Sequence, residues 1–356
     1  LYLKEAVFIA SLDIKKAFNE VCHYKLFTTL LKANVPKWVV LLLAFWYCRL
    51  NVSVRWGNSC SFNFNVTSGV RQGGVISPAL FNVFINAFIV RLRSRNSGLR
   101  INSYFAGAIM YADDLLLISA SVTGLQNMLS SCEQTSKSLL LEFNCGKCSC
   151  IAIGRAANRV IKPMCLSGNN IEWSQFISYL GICFRAGKAL TVDLSSTKRQ
   201  FYVACNTILG KTKSLNDILR LNMLESYCLP ILLYATTALK LSAIQVRELN
   251  ACWNSAYRRV FGFRKCESVP YFIDGLGRLD YTHMRQYLCL KFYKAGLDTQ
   301  CVTYVYLTKQ LLLSDRCNVM CSMLGLARID RASLLRLPIR KLRNAVELAF
   351  SATCLV

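Results

Sequence analysis

Residues 6–12 form a short, unbroken apolar run closed by Asp13, and a run of that length predicts a buried strand. From residue 15 to 33 the apolar positions Ala17, Phe18, Val21, Leu26, Leu30 and Leu31 fall at helical spacing. Pro36 opens a second predicted helix running to about Cys48. Residues 51–56 and 61–66 alternate in polarity around Gly57-Asn58, the pattern of a hairpin. A glycine-bearing loop, 69–77, leads to Pro78 at the first turn of an apolar helix ending near Leu92. Two short strands, 108–111 and 115–119, flank Asp113 and Asp114. A helix over 125–141 and strands over 149–154 and 177–184 follow.

After about residue 188 the strand signals fade. Long helical segments take over at 196–209, 218–239, 243–261 and 281–297, and the last fifty residues also read as helical. The pattern predicts an α+β fold with a mixed first domain, 1–188, and an all-helical second region, 189–356. A length of 356 residues fits two domains.

Composition narrows the class. With 54% hydrophobic and 17% charged residues, the chain is neither disordered nor a coiled coil. Lys and Arg number 43 against 19 Asp and Glu, a formal net charge of +24 shared equally by the parts before and after residue 190. Charge so spread points to a polyanionic partner, nucleic acid or an anionic membrane surface. The membrane is disfavoured: the longest apolar run, 38–48, is about half the ~20 residues of a spanning helix. The stretch 227–241 is broken by Pro230 and softened by Thr236 and Thr237. No signal or transit peptide is visible, and a first residue of Leu rather than Met suggests a fragment of a longer reading frame. The 18 cysteines, many in apolar stretches, suit free thiols in a reducing compartment. Cys145, Cys148 and Cys150 crowd together and Cys317 and Cys321 are four apart, but His23 and His283 lie near neither group to complete a zinc site.

Candidate chemistry rests on acids, which are scarce in the first 190 residues. Asp13, Asp113 and Asp114 all sit at the ends of apolar strands. Adjacent carboxylates in the turn Tyr111-Ala112-Asp113-Asp114 serve either a solvated turn or a cation site. Asp13 alone suits a helix N-cap equally well. Hard oxygen ligands of this kind suit Mg²⁺, and two such ions can activate a hydroxyl and steady a leaving phosphate.

Five segments together resemble the ordered motifs of reverse transcriptases. Ser11-Leu12-Asp13-Ile14-Lys15-Lys16-Ala17-Phe18 resembles the first motif, and the segment from Ser68 through Gln72-Gly73-Gly74 and Ser77-Pro78 to Asn82 the second. Tyr111-Ala112-Asp113-Asp114 resembles the signature turn. Asn144-Cys145-Gly146-Lys147 resembles the lysine motif and Tyr179-Leu180-Gly181 the primer-grip strand. Leu80-Phe81-Asn82 after Ser77-Pro78 points to retrotransposons without long terminal repeats (LINE-type), and Pro230-Ile231-Leu232-Leu233-Tyr234 is loosely similar to that group.

The resemblance implies a polymerase palm with a small antiparallel sheet and packed helices, a residual finger hairpin near 51–66, and a helical thumb. It implies Asp13 and Asp113 as direct ligands of two Mg²⁺ with the Ile14 carbonyl, and Asp114 as a supporting carboxylate. Phe18, beside Ala17, would lie under the sugar of the incoming nucleotide and exclude a 2′-hydroxyl. Gln72 and Gly73 would line the template and nucleotide pocket, near Tyr111. Lys147 would sit by the triphosphate and protonate the leaving pyrophosphate, and Tyr179, Leu180 and Gly181 would position the primer end. Without the resemblance, Phe18 reads as a core aromatic, Gln72 and Gly73 as ordinary loop, Lys147 as solvated, and 179–181 as plain strand.

Asn19, Arg71 and Cys148 depart from the family pattern at non-ligand positions. Only about a dozen residues precede Asp13, so finger strands and the endonuclease domain of longer relatives are expected to lie upstream. The implied activity is RNA-directed DNA polymerisation, with RNA template, DNA primer and target DNA, and deoxynucleoside triphosphates as partners. The implied setting is intracellular, a ribonucleoprotein of the nucleus or cytoplasm. A group II intron maturase and a catalytically silent nucleic-acid-binding remnant are the alternatives.

Overall fold

A computed structural model describes residues 6–95, 97–101, 104–157, 159–298 and 343, 344, 346 and 347. The chain parts into two compact units, Leu1–Asp193 and Leu194–Val356.

In chain order the first unit contains β1 (Val7–Leu12), α1 (His23–Lys32), α2 (Lys37–Cys48), the short strands β2 (Asn51–Val52), β3 (Arg55–Trp56), β4 (Ser59–Cys60) and β5 (Phe64–Asn65), and α3 (Ser77–Ser94). Then come β6 (Arg100–Ile101), β7 (Tyr104–Phe105), β8 (Ala108–Tyr111), β9 (Asp114–Ser119), α4 (Val122–Leu139) and β10 (Ser149–Ile153). The paired strands β11 (Met164–Leu166) and β12 (Asn169–Ile171) are followed by a three-stranded sheet of β13 (Phe176–Tyr179), β14 (Ile182–Arg185) and β15 (Thr191–Asp193).

The unit is organised on one antiparallel sheet of order β10-β1-β9-β8. β1 is apolar on both faces because both are covered. Phe8, Ala10, Leu12 and the following Ile14 face a core that includes Leu26, Phe81, Phe84, Phe88 and Leu129 from α1, α3 and α4. Val7 and Ile9 face the other way and pack with Ile151, Ile153 and Ile177, flanked by Leu116 and Ile118. The strand period of two carries this division on to the ends of β1 and β9. Asp13 therefore shares the face of Val7 and Ile9, and Asp114 the face of Leu116 and Ile118. The register Leu12↔Leu115 sets the two carboxylates on neighbouring strands.

Three predicted elements fold differently. The helix expected over 15–33 begins only at His23: residues 15–19 form turns, with Lys16 at φ 42°. The Lys16 carbonyl accepts the amides of Asn19 and Glu20, and the Phe18 carbonyl accepts the Val70 amide, so tertiary pairing overrides helical spacing. The strand expected over 177–184 is a hairpin, β13–β14, turning at Leu180 (φ 49°) and Gly181 (φ 75°). In the second unit the helix expected over 218–239 is two helices followed by turns, with Pro230 in the first turn of the second.

That second unit consists of α5 (Ser195–Lys211), α6 (Asp217–Tyr227), α7 (Leu229–Leu233), α8 (Ala243–Phe261), α9 (Pro270–Gly275) and α10 (Tyr281–Asp298). Phe201, Leu224, Trp253, Tyr257 and Tyr281 are fully buried there. Among the described residues no helix is long and apolar enough to cross a membrane. Cys317, Cys321 and nearly all of the last fifty residues lie outside the described residues.

Candidate active site

Asp13 follows β1 directly, and its main chain is pinned on the side away from β9. The Asn144 amide donates to the Asp13 carbonyl (2.8 Å) and the Lys15 amide to the Glu142 carbonyl (2.9 Å), bracketing an Ile14↔Phe143 bridge. In an antiparallel pair bonded this way, the polar groups of the central residue point away from the partner strand. The Ile14 carbonyl is thus directed away from residues 142–144, while its side chain is buried in the core.

Asp113 sits in the two-residue turn between β8 and β9, closed by the pair Tyr111↔Asp114. Ala112 adopts φ 50°, a left-handed conformation that an alanine takes only at a cost in backbone energy. Such strain, held by a well-packed sheet, recurs where a turn presents functional groups.

Asp13, Ile14, Asp113 and Lys147 line one cavity of about 650 Å³, together with Lys15, Lys16, Glu142 and Asn144. Lys147, brought round by the turn after Phe143, lies with its Nζ 3.7 Å from Asp13 Oδ2. Asp114 is not among the lining residues of that cavity. Its carboxyl is held above the usual range, first by burial, then by the neighbouring Asp113 and Asp13, with Lys147 opposing. The lining set offers oxygen donors and no thiol or imidazole, which fits a hard divalent cation such as Mg²⁺. Among the described residues no group of three or more His, Cys, Asp and Glu side chains could by itself hold a metal ion. The cavity's carboxylates are Asp13 and Asp113 at the strand ends with Glu20 and Glu142 on its wall, an open set of oxygen donors and not a closed protein cage.

Phe18 lies in the turn after β1, not in a helix, and its ring stacks on Phe81 of α3 with centroids 4.3 Å apart at 15°. It lines a cavity of about 210 Å³ with Arg71, Gln72, Gly73 and Pro78. It also lines a second, of about 390 Å³, with Asn82, Met110, Tyr111 and Ala112. Ala17, the residue before it, is buried.

The loop before α3 is tied to this turn. Gly69 donates to the Val21 carbonyl (2.8 Å), His23 Nε2 contacts the Gly69 carbonyl (2.9 Å), and Gln72 Nε2 donates to Asn19 Oδ1 (3.1 Å). Gly69 has φ 90°, and a Cβ there would meet the Asn19 carbonyl at 2.9 Å. Gly73 has φ 80° with open space beside it.

Sequence reasoning missed Asn19, which it took only as a departure from a pattern. It also passed over Lys15, Lys16 and Asn144, which line the main cavity. The basic pair directly after Asp13 was the available signal. Tyr179, Leu180 and Gly181 occupy the end and turn of the β13–β14 hairpin and line none of the three cavities. Burial pushes the Tyr179 phenol up to about 12, with the charge of Asp114 as a second cause.

Residues 2–184 match the family model described as reverse transcriptase (RNA-dependent DNA polymerase). The chain belongs to the reverse transcriptase family. A Pol polyprotein from the retrotransposable element R2 of Nasonia vitripennis is 31% identical over 149 residues, 42% of this chain and 14% of that protein. The RNA-directed DNA polymerase from mobile element jockey of Drosophila melanogaster is 24% identical over 272 residues, 73% of this chain and 29% of that protein. The chain thus spans well under half the length of these relatives. A telomerase of Candida albicans, solved with a fragment of telomeric RNA, aligns with 89% of this chain and 50% of its own at 11% identity and a TM-score of 0.42.

Proposed function

We propose that this chain is the catalytic palm, with a helical thumb after it, of an RNA-directed DNA polymerase from a retrotransposon without long terminal repeats. It would extend a DNA primer 3′-hydroxyl with deoxynucleoside triphosphates on an RNA template, inside the cell and within a ribonucleoprotein. The observation that carries this reading is one cavity lined by Asp13 and Asp113 from two strand ends, with Lys147 3.7 Å from Asp13. The mobile-element relatives favour a retrotransposon over an intron maturase.

Asp13, Asp113 and the Ile14 carbonyl would hold Mg²⁺, leaving its other positions to water and phosphate oxygens. Bound there, the metal supplies Lewis acidity to a primer hydroxyl and a leaving pyrophosphate. Asp114, excluded from the cavity, supports Asp113 through the shared turn. Lys147, close to Asp13 and exposed to solvent, is positioned to give its proton to the leaving group. Phe18 floors the sugar position, and Gln72, fixed by Asn19, lines the adjoining pocket with Gly73.

The test is primer extension on an RNA template with Mg²⁺, by the chain joined to the finger strands expected upstream of it. Extension dependent on template and divalent cation supports the reading. Absence of extension under every template and cation, with nucleic acid bound, favours a silent remnant and overturns it.

A further inference from the structure

α3 carries an exposed stripe of Pro78, Asn82, Asn86 and Val90, each four residues from the last and so on one face of the helix. Three cavities follow that stripe. Phe18 and Pro78 line both the cavity of Gln72 and that of Tyr111. Asn82 and Asn86 line the cavity of Tyr111 and also a groove of about 910 Å³ between α1 and α3. Lys25, Thr28, Thr29 and Lys32 enter this groove from one face of α1. Thr28 and Thr29 donate their hydroxyls back to the Tyr24 and Lys25 carbonyls (2.6 and 2.8 Å), so neither has a proton left for a ligand. The donors that remain are the ammonium groups of Lys25 and Lys32 and the amides of Asn82 and Asn86. Among the described residues no carboxylate pairs with either lysine, and no group bonds either amide. No acid lines the groove, and between Glu20 and Asp113 the sequence has ten Lys and Arg and no Asp or Glu.

Cationic and amide donors without a counter-charge suit a run of phosphates. Packed helices have axes ~8–10 Å apart, so a groove between two of them admits one strand and not a duplex. Its link through Asn82 and Asn86 to the cavities of Tyr111, Phe18 and Gln72 favours a strand continuous with the site over a separate acidic protein. We infer that the α1–α3 groove holds the uncopied, single-stranded part of the template, with Lys25 and Lys32 on its phosphates and Asn82 and Asn86 between the groove and the site. This rests on the polymerase reading of the site and adds a place for the template outside it.

The experiment measures binding of the whole chain, in EDTA, to one RNA–DNA duplex with and without a single-stranded RNA overhang at the template 5′ end. The overhang should tighten binding about tenfold at low salt. Lys25→Gln with Lys32→Gln should abolish that gain and leave affinity for the blunt duplex unchanged. The salt slope of the overhang's contribution should fall by ~1.4, two phosphates at ~0.7 each. Lys162→Gln with Lys188→Gln removes the same charge outside the groove and should keep the gain. A DNA overhang should gain as much as RNA, because the phosphates are common to both. No gain from the overhang in wild type, or equal loss in both double variants, overturns the inference.

Two further readouts do not depend on the lysine variants. Asn86→Asp places a negative charge on an exposed position of the groove and should weaken binding of the overhang alone. A 4-thiouridine in the overhang should cross-link, on irradiation, to peptides within residues 24–33 or 82–90; cross-links only elsewhere overturn the inference. An overhang gain lost in the lysine variant, without extension by wild type joined to its upstream finger strands, leaves the groove standing and removes the polymerase reading. Extension with no gain from the overhang does the reverse.

Discussion

At the scale of single residues, Phe18 is held by two different constraints. Its ring is clamped on Phe81, and with Pro78 it lines both the cavity of Gln72 and that of Tyr111. A rigid ring whose partner sits on a long helix is a steric wall, and a wall rejects an added hydroxyl far better than an open pocket does. Phe18→Val should therefore raise ribonucleotide incorporation relative to deoxynucleotide, measured as the ratio of kcat/KM for matched pairs, with some loss of stability from the unstacked Phe81. An unchanged ratio would return Phe18 to a purely structural role.

The cysteines also act as individuals. Cys148 and Cys150 lie next to the site, but burial lifts their thiols to about 11 and about 12. Cys132 is raised further by complete burial. Thiolate is the reactive form, so these three should resist iodoacetamide at pH 7.5 in the native chain while exposed Cys60 and Cys266 react. Peptide mapping by mass spectrometry checks this, and rapid native labelling of Cys150 would contradict the burial described.

At the scale of elements, the loop from Gly69 to Gly73 depends on its first glycine. Gly69→Ala combines a left-handed φ with a Cβ pressed on the backbone of Phe18 and Asn19. It should lower stability by about 1–3 kcal/mol in urea unfolding. α4 and the β11–β12 hairpin are joined by Glu133, which accepts from Lys137 Nζ (2.6 Å) and from the Ser167 amide (3.3 Å). The lysine bond chiefly holds this carboxyl below the usual range. A carboxyl depressed in the folded state adds stability above its unfolded pKa and loses it as pH falls through the folded value. Glu133→Gln should thus lower Tm at pH 7, and the difference from wild type should shrink as pH falls through the acid range.

Those elements show what a sequence makes legible. β1, the hairpin carrying Asp113 and the helix after Pro78 were readable because each has one strong local pattern and packs as that pattern requires. The turns at 15–19 were hidden because Ala17 and Val21 are buried in either conformation, and only the distant amides of Gly69 and Val70 decide between them. The β13–β14 turn was hidden because a leucine at positive φ is no turn signal. β6, β7, β11 and β12 are two or three residues long, too short to carry a period. The set Asp13, Asp113 and Lys147 came from motif order; that Asn19 holds Gln72 could only come from three-dimensional contact.

At the scale of the whole molecule, the charge of +24 is the dominant fact. Binding to RNA–DNA duplex should show little sequence preference and steep salt dependence. Neutralising ~6–10 phosphates would lose ~10³–10⁵ in affinity between about 50 and 200 mM salt. Fluorescence anisotropy across that range checks it, and a flat response would separate the charge from nucleic-acid binding.

The central claim is that carboxylates at two strand ends make one nucleotidyl-transfer site. The most direct measurement compares wild type with Asp113→Asn, an isosteric change that removes one negative charge from the cavity. RNA-templated primer extension and primer–template affinity are followed side by side. The account predicts that extension falls to background while affinity for the duplex is unchanged, because the substitution removes no basic residue. Extension that persists in Asp113→Asn would contradict the account.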